Sequence, residues 1–187
     1  MMSKTIVVNI NKCMACKSCE MACALVHSKS QTIEEAITET PRPQRMVTVE
    51  QAGDKGVPMQ CRHCENAPCI AVCPTAALHR HEIYDPVLID RERCIGCRYC
   101  LTACPFGVID MARDGKAVVK CDLCIKRTQA GELPACVASC PTKALQYCEL
   151  TEMLIKRKRA AAQLAAAAVS GSNEPTTENT DDTGKGR

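Results

Sequence analysis

Sixteen of the chain's seventeen cysteines fall into four sets of four, each closed by the same interval. The first set is Cys13, Cys16, Cys19 and Cys23, with two, two and three residues between successive members. The second is Cys61, Cys64, Cys69 and Cys73, with intervals of two, four and three. Cys94, Cys97, Cys100 and Cys104 repeat the two, two, three pattern, and Cys121, Cys124, Cys136 and Cys140 run two, eleven, three. Cys148 stands outside the sets. A proline follows the fourth cysteine in three of them, as Pro74, Pro105 and Pro141, whereas Ala24 follows in the first.

The redox compartment decides what so many thiols do. The N-terminal MMSKTIVVNINKC has one lysine before a short apolar run broken by Asn9, with no small-residue cleavage site, so it does not read as a secretory signal. No run reaches the roughly 18 apolar residues of a membrane span. The expectation is a cytoplasmic chain whose thiols stay reduced and hold metal rather than forming disulfides.

The spacing then selects the metal. A C-x2-C-x2-C loop curls around one cubane so that three thiolates reach three irons, while the fourth cysteine, past the turn, points to the neighbouring cluster. Proline after that cysteine fixes φ and disfavours a helical conformation at the residue before it. The first set, with Ala24, has a less constrained exit. The stretch between second and third cysteines only has to bring ligands to one cluster, so it tolerates the insertion seen in the fourth set. The C-x3-C-P segment joins two clusters and keeps its length. Zinc sites close after four ligands from two C-x2-C pairs and do not use this pattern. No C-x3-C-x2-C of a radical-generating site occurs.

The second and third sets are contiguous, and crossing their fourth cysteines predicts one cluster on Cys61, Cys64, Cys69 and Cys104 and another on Cys94, Cys97, Cys100 and Cys73. The first and fourth sets then pair across this module: Cys13, Cys16, Cys19 and Cys140 on one cluster, Cys121, Cys124, Cys136 and Cys23 on the other. Pairing the first set with the second and the third with the fourth is the alternative. The endings PC…CPT.AL of the second and fourth sets match, as do the NINK and IDRER approaches to the first and third. The expected fold is therefore α+β, with two pseudo-equivalent bacterial-ferredoxin-like modules, one inserted in the other. The outer module takes residues 1–57 and 112–150, the inserted one 58–111, followed by a helix over 151–169 and a disordered tail over 170–187.

Composition agrees. Three Tyr, one Phe and no Trp leave a core without large rings, so metal cross-links must substitute for buried area. The formal charge of +3 counts thiols as neutral. Four oxidised clusters, each roughly −2 with its thiolates, bring the holo-protein to about −5 and argue against a nucleic-acid partner. No phosphate-binding glycine motif occurs.

Lys4–Ile10, Met46–Glu50 and Val87–Asp90 read as strands, and Arg113-Asp114-Gly115 as a hairpin turn between Val108–Met111 and Lys116–Lys120. Residues 28–45 read as a polar surface excursion. The run Lys156–Arg159 reads as a solvated helix face, and Cys148 as a buried spare thiol. None of His27, His63, His79 and His81 has a ligand spacing with carboxylates, though His63, inside the second set, could hydrogen-bond a cluster. Ile70, Val72, Ile95 and Val137 are expected to keep water from the clusters.

A cluster on four thiolates has no open position, so four of them in a small chain make an electron relay rather than an enzyme. The motifs, in this order over residues 4–150, resemble the four-cluster ferredoxin family of electron-transfer subunits, which includes the beta subunits of dimethyl sulfoxide reductase and formate dehydrogenase. The family's cluster pairing agrees with the crossed sets above. The short length, NINKCMACKSCEMACALVHS and CRHCENAPCIAVCPTAAL look most like the iron–sulfur subunits that accompany anaerobic nickel carbon monoxide dehydrogenase. That resemblance implies two partners, the catalytic subunit of carbon monoxide dehydrogenase and a membrane-bound, proton-reducing hydrogenase, with the chain at the inner face of the cytoplasmic membrane. The absence of a C-terminal membrane anchor speaks against the membrane-anchored formate dehydrogenase type. Alternatives are the same role beside a formate dehydrogenase, a molybdopterin oxidoreductase or another hydrogenase, or a redox-sensing metal module.

Overall fold

The structure, a computed structural model, describes residues 4–170. Two compact units meet in sequence at Leu150 and Thr151. The first opens with strand β1 (Lys4–Val8) and a 3-10 turn (Ile10–Lys12), then helices α1 (Ser18–Val26) and α2 (Ile33–Ala36). A hairpin of β2 (Val47–Ala52) and β3 (Lys55–Gln60) follows, then α3 (Pro68–Ala71), β4 (Leu78–His79), β5 (Leu88–Ile89) and α4 (Tyr99–Ala103). The series ends with β6 (Asp110–Met111), β7 (Val118–Val119), α5 (Ile125–Gln129), α6 (Ala135–Ala138) and β8 (Leu145–Glu149).

All described strands pair antiparallel in twos: β1 with β8, β2 with β3, β4 with β5, and β6 with β7. The β1–β8 pair sets Lys4 opposite Glu149 and Val8 opposite Leu145, so the first and last segments of the unit close on each other. Two-stranded sheets are marginal by themselves, and their inner faces are small. One core gathers Ile6, Val47, Leu123 and Leu145 with the thiols of Cys19, Cys23 and Cys136. The other gathers Leu78, Val87, Ile109 and Val118 with Cys69 and Cys100. Each core thus mixes mid-sized aliphatics with cysteine sulfur.

β3 was not expected as a strand, because Gly56 and Pro58 lower its propensity. It forms because β2 pairs with only one of its edges, which leaves Pro58 opposite Val49 without a demand for a second ladder. The expected boundary at 57/58 falls inside β3, and that at 111/112 inside the β6–β7 hairpin, where Gly115 takes φ 70°. Glu20 ties α1 to the β2–β3 hairpin, accepting the Val49 amide at 2.6 Å and an ion pair from Arg45 at 3.0 Å.

Residues 28–45 do more than loop. The Glu39 carboxylate takes the Ser30 amide and hydroxyl at 2.9 and 2.7 Å, and α2 faces α1 across an apolar pocket lined by Met21, Leu25, Ile33 and Ile37.

The second unit, described by itself, is helix α7, which begins at Leu150 and runs to Ser170. Lys156–Arg159 are exposed on it, as expected of a solvated run. Ser170, assigned to the tail from sequence, is still helical, and the rest of that expected tail lies outside the described residues. No described helix is long and apolar enough to cross a membrane.

Candidate metal centres

The four cysteine sets share one local design. The residue before the second cysteine is left-handed in every set: Ala15 (φ 55°), His63 (φ 48°), Gly96 (φ 68°) and Leu123 (φ 60°). Only one of these is glycine, so the other three hold a conformation costing about 1–2 kcal/mol each. This turn aims consecutive amides inward, as in anion-binding nests. His63 and Leu123 donate their N–H to Cys61 Sγ and Cys121 Sγ, both at 3.4 Å. The third cysteine is the second residue of a short helix in every set, Cys19 in α1, Cys69 in α3, Cys100 in α4 and Cys136 in α6, and all four are buried.

The fourth cysteines leave these helices as the following residue dictates. After Pro74 and Pro141 the chain turns, with Ala76 and Lys143 left-handed at φ 50° and 52°. Burial raises the Cys73 thiol, but the Leu78 amide, the Thr75 hydroxyl and the Thr75 and Ala77 amides outweigh it and hold it below its ordinary value. Cys140 is held down in the same way by Leu145, Thr142 and Ala144. Without a proline, α1 continues through Cys23 to Val26, whereas α4 stops at Ala103. Cys23 Sγ instead accepts the Met46 amide at 3.2 Å.

Three small cavities are lined by cysteines from different sets. Cys13, Cys16, Cys19 and Cys140 line one. Cys94, Cys97, Cys100 and Cys73 line another. Cys61, Cys64, Cys69 and Cys104 line the third. In each case the fourth cysteine of one set joins three of another. The remaining four, Cys121, Cys124, Cys136 and Cys23, are all buried, and Cys23 and Cys136 belong to the first core. Burial, then the neighbouring Cys23, Cys124 and Cys19, push the Cys136 thiol up to about 12. Burial, and after it Cys136, Cys23 and Cys61, push Cys121 well above the ordinary thiol range.

This chemistry fits an iron–sulfur cubane. Each group offers four soft donors and apolar walls. Thiols such as Cys19 and Cys100, both raised to about 11 chiefly by burial, ionise only if a cation compensates them, which ligated iron does. Amides already directed at sulfur meet the hydrogen-bonding needs of the bound state.

Several sequence expectations need correction. Val72 is 37% exposed and lines none of the three cysteine cavities, whereas Ile95, though 68% exposed, lines the cavity of Cys94, Cys97, Cys100 and Cys73; Ile70 and Val137 pack against the cores. Cys148 lies in β8 opposite Thr5 and is half-buried, not enclosed. His27 does have a carboxylate partner: its Nε2 lies 3.1 Å from Asp122 Oδ1, and its Nδ1 2.7 Å from the Cys23 carbonyl. Asp122 Oδ1 also accepts the Cys124 amide at 2.9 Å, so this pair braces Cys23 against Cys124. A separation of ninety-five residues hid it from local spacing. His63 is half-buried with its Nε2 closed off from solvent, and burial and the Lys120 ammonium push its ring down to about 3.

Comparison with known proteins bears on the same residues. Residues 55–150 match the family described as the 4Fe-4S dicluster domain. An iron-sulfur protein of Rhodospirillum rubrum is 37% identical over 170 residues, covering 84% of this chain and 88% of its own. The thiosulfate reductase electron transfer subunit PhsB of Salmonella typhi is 38% identical over 152 residues, covering 78% and 76%. The electron transport protein HydN of Escherichia coli K12 is 36% identical over 159 residues, covering 77% and 87%. The cofactors are 4Fe–4S clusters, and the chain belongs to the 4Fe-4S dicluster ferredoxin-type family of electron-transfer subunits.

Proposed function

We propose that the chain relays single electrons through four clusters held by the crossed cysteine sets: Cys13, Cys16, Cys19 with Cys140; Cys121, Cys124, Cys136 with Cys23; Cys61, Cys64, Cys69 with Cys104; and Cys94, Cys97, Cys100 with Cys73. The observation that carries this reading is an unbroken succession of neighbouring thiols. Cys19 acts on Cys136, Cys121 feels Cys61, and Cys100 feels Cys69, so each set lies within electrostatic reach of the next. The two ends of the series are the two exposed ligands, Cys16 and Cys97. Beside them stand exposed apolar residues at equivalent positions, Met14 (65%) and Ile95 (68%), suited to contact with electron donor and acceptor. One-electron uptake and release is the chemistry the clusters supply. The chain's own residues hold and space the sulfurs, direct amides to them and wall off the inner sets.

Two aliphatic cores and the β1–β8 closure support a duplicated architecture in which residues 58–111 form a module inserted between 1–57 and 112–150. The partners we favour are a carbon monoxide dehydrogenase catalytic subunit as donor and a membrane-bound hydrogenase as acceptor, at the cytoplasmic face of the membrane. The support is the likeness of the first and second cysteine segments to iron–sulfur subunits of that system. A sulfur-compound reductase is the second reading, favoured by the name of the similar Salmonella protein, and a formate-linked system fits the same cysteine pattern.

Anaerobic affinity capture of the chain, followed by reduction assays through the captured partner, tests this. Reduction by carbon monoxide supports the first reading; reduction by formate, or oxidation by thiosulfate, moves the assignment to the second. Iron and acid-labile sulfide well below about sixteen each per chain would remove the four-cluster relay itself.

A further inference from the structure

Three buried side-chain polar atoms among the described residues have no hydrogen-bond partner: Gln60 Nε2, Gln60 Oε1 and His63 Nε2. Both residues lie within two positions of Cys61. Lys120, only 2% exposed, precedes Cys121 as Gln60 precedes Cys61. Its Nζ donates to the backbone carbonyls of Val87 and Cys121, and no carboxylate lies within ion-pair distance of it among the described residues. The same Val87 offers its N–H to His63 Nδ1 at 3.0 Å. A ring accepting at Nδ1 carries its proton on Nε2, which leaves one buried N–H without an acceptor. Lys120 and His63 therefore converge on the two backbone groups of one residue, Val87, its C=O and its N–H, where Cys61 of one cluster pair lies within electrostatic reach of Cys121 of the other.

A buried ammonium without a counter-charge, and a buried N–H without an acceptor, are each costly. Thiolate-ligated clusters on both sides would supply negative charge and sulfur acceptors to both groups.

We propose that Lys120 and His63 are potential-setting residues at the junction between the two cluster pairs, raising the potentials of the two sets that meet there, Cys61–Cys64–Cys69–Cys104 and Cys121–Cys124–Cys136–Cys23. A fixed positive charge and a hydrogen bond to sulfur both favour the reduced form. An electron crossing the junction oxidises one set by one and reduces the other by one, with no bond made or broken and no proton moved. The outer sets, reaching solvent at Cys16 and Cys97, have no buried lysine of this kind among the described residues.

The chain contains its own conservative replacements. Lys120→Gln installs the residue found at the equivalent place before Cys61, and His63→Leu installs that of Leu123 in the fourth set. Anaerobic redox titration of the full-length protein, followed by electron paramagnetic resonance, should show junction reduction steps moved to lower potential in Lys120→Gln. The expected change is about tenfold in equilibrium constant, about 59 mV for a one-electron couple. Lys120→Arg should hold the wild-type values. His63→Leu should move a step in the same direction and remove a nitrogen coupling seen by spin-echo modulation in the reduced wild type. An iron-replete Lys120→Gln with every step unmoved, or an unchanged nitrogen signal in His63→Leu, overturns the proposal. Should Lys120→Gln fail to load iron, His63→Leu decides alone: a downward step supports the proposal, an unmoved one overturns it. The inference rests on the crossed cluster sets, and the two fail differently. A wild type without four clusters sinks the sets, whereas unmoved potentials in loaded variants sink only the role of Lys120 and His63.

Discussion

Gly56→Ala adds one methyl group where the structure has no room for it. Gly56 does not use the left-handed region, so alanine meets no backbone objection there. Its Cβ, however, would stand 2.8 Å from Ala15 Cβ, 3.1 Å from Val49 Cγ1 and 3.2 Å from Ala15 Cα. Ala15 lies between Cys13 and Cys16 at φ 55°, so the side that yields is the ligand loop of the first set. Overpacking of this kind costs about 1–3 kcal/mol, which for a chain of this size lowers the melting temperature by about 2–12 °C. The displaced loop should also release its cluster, reducing iron from about sixteen to about twelve per chain. Thermal unfolding under anaerobic conditions and an iron assay read both quantities. Ala15→Gly supplies the control. Alone it should be neutral to modestly stabilising, because relief of about 1–2 kcal/mol of left-handed strain exceeds or matches about 0.4–1 kcal/mol of added unfolded-state entropy. Combined with Gly56→Ala it removes the shortest contact and should restore most of the lost stability, while the Val49 contact remains. Gly56→Ala with full iron and an unchanged melting temperature, or a double variant as damaged as the single, would refute the steric reasoning.

Crossed ligation makes a second prediction: Cys104→Ser and Cys61→Ser should alter the same reduction step, and Cys73→Ser and Cys94→Ser another, in redox titration. Grouping of Cys104 with Cys94 would reject the crossing. Removing iron with a strong chelator should abolish cooperative unfolding of residues 4–150 in calorimetry, since two-stranded sheets and small aliphatic cores leave little else to hold the unit. Truncation after Leu150 should leave iron content and melting of the first unit unchanged, because the chain divides at that point.

The grouping of cysteines around three shared cavities was legible in the sequence because cysteine intervals are local, and the C-x3-C-P segment constrains where the fourth sulfur goes. The hairpin at Arg113-Asp114-Gly115 was legible for the same reason. What escaped depends on partners far apart in the chain. His27 and Asp122 show no mutual pattern, and the burial of Lys120 could not be read from a lysine before a cysteine. β3 was obscured by Gly56 and Pro58, whose tolerance depends on an edge left unpaired. Left-handed turns were hidden because Ala15, His63 and Leu123 stand where glycine would have announced them. Val72 looked like a seal by type, but at the C-terminal end of α3 it is left partly exposed.

The closure of β1 on β8 has a consequence for biogenesis. During synthesis, Cys13, Cys16 and Cys19 emerge early, yet Cys140, which lines the same cavity, is the last of the sixteen to arrive. Cys61 through Cys104 are all present well before then. On the proposed crossing, the central clusters would be free to assemble while translation continues, whereas the terminal thiols would have to wait for β1 and β8 to meet.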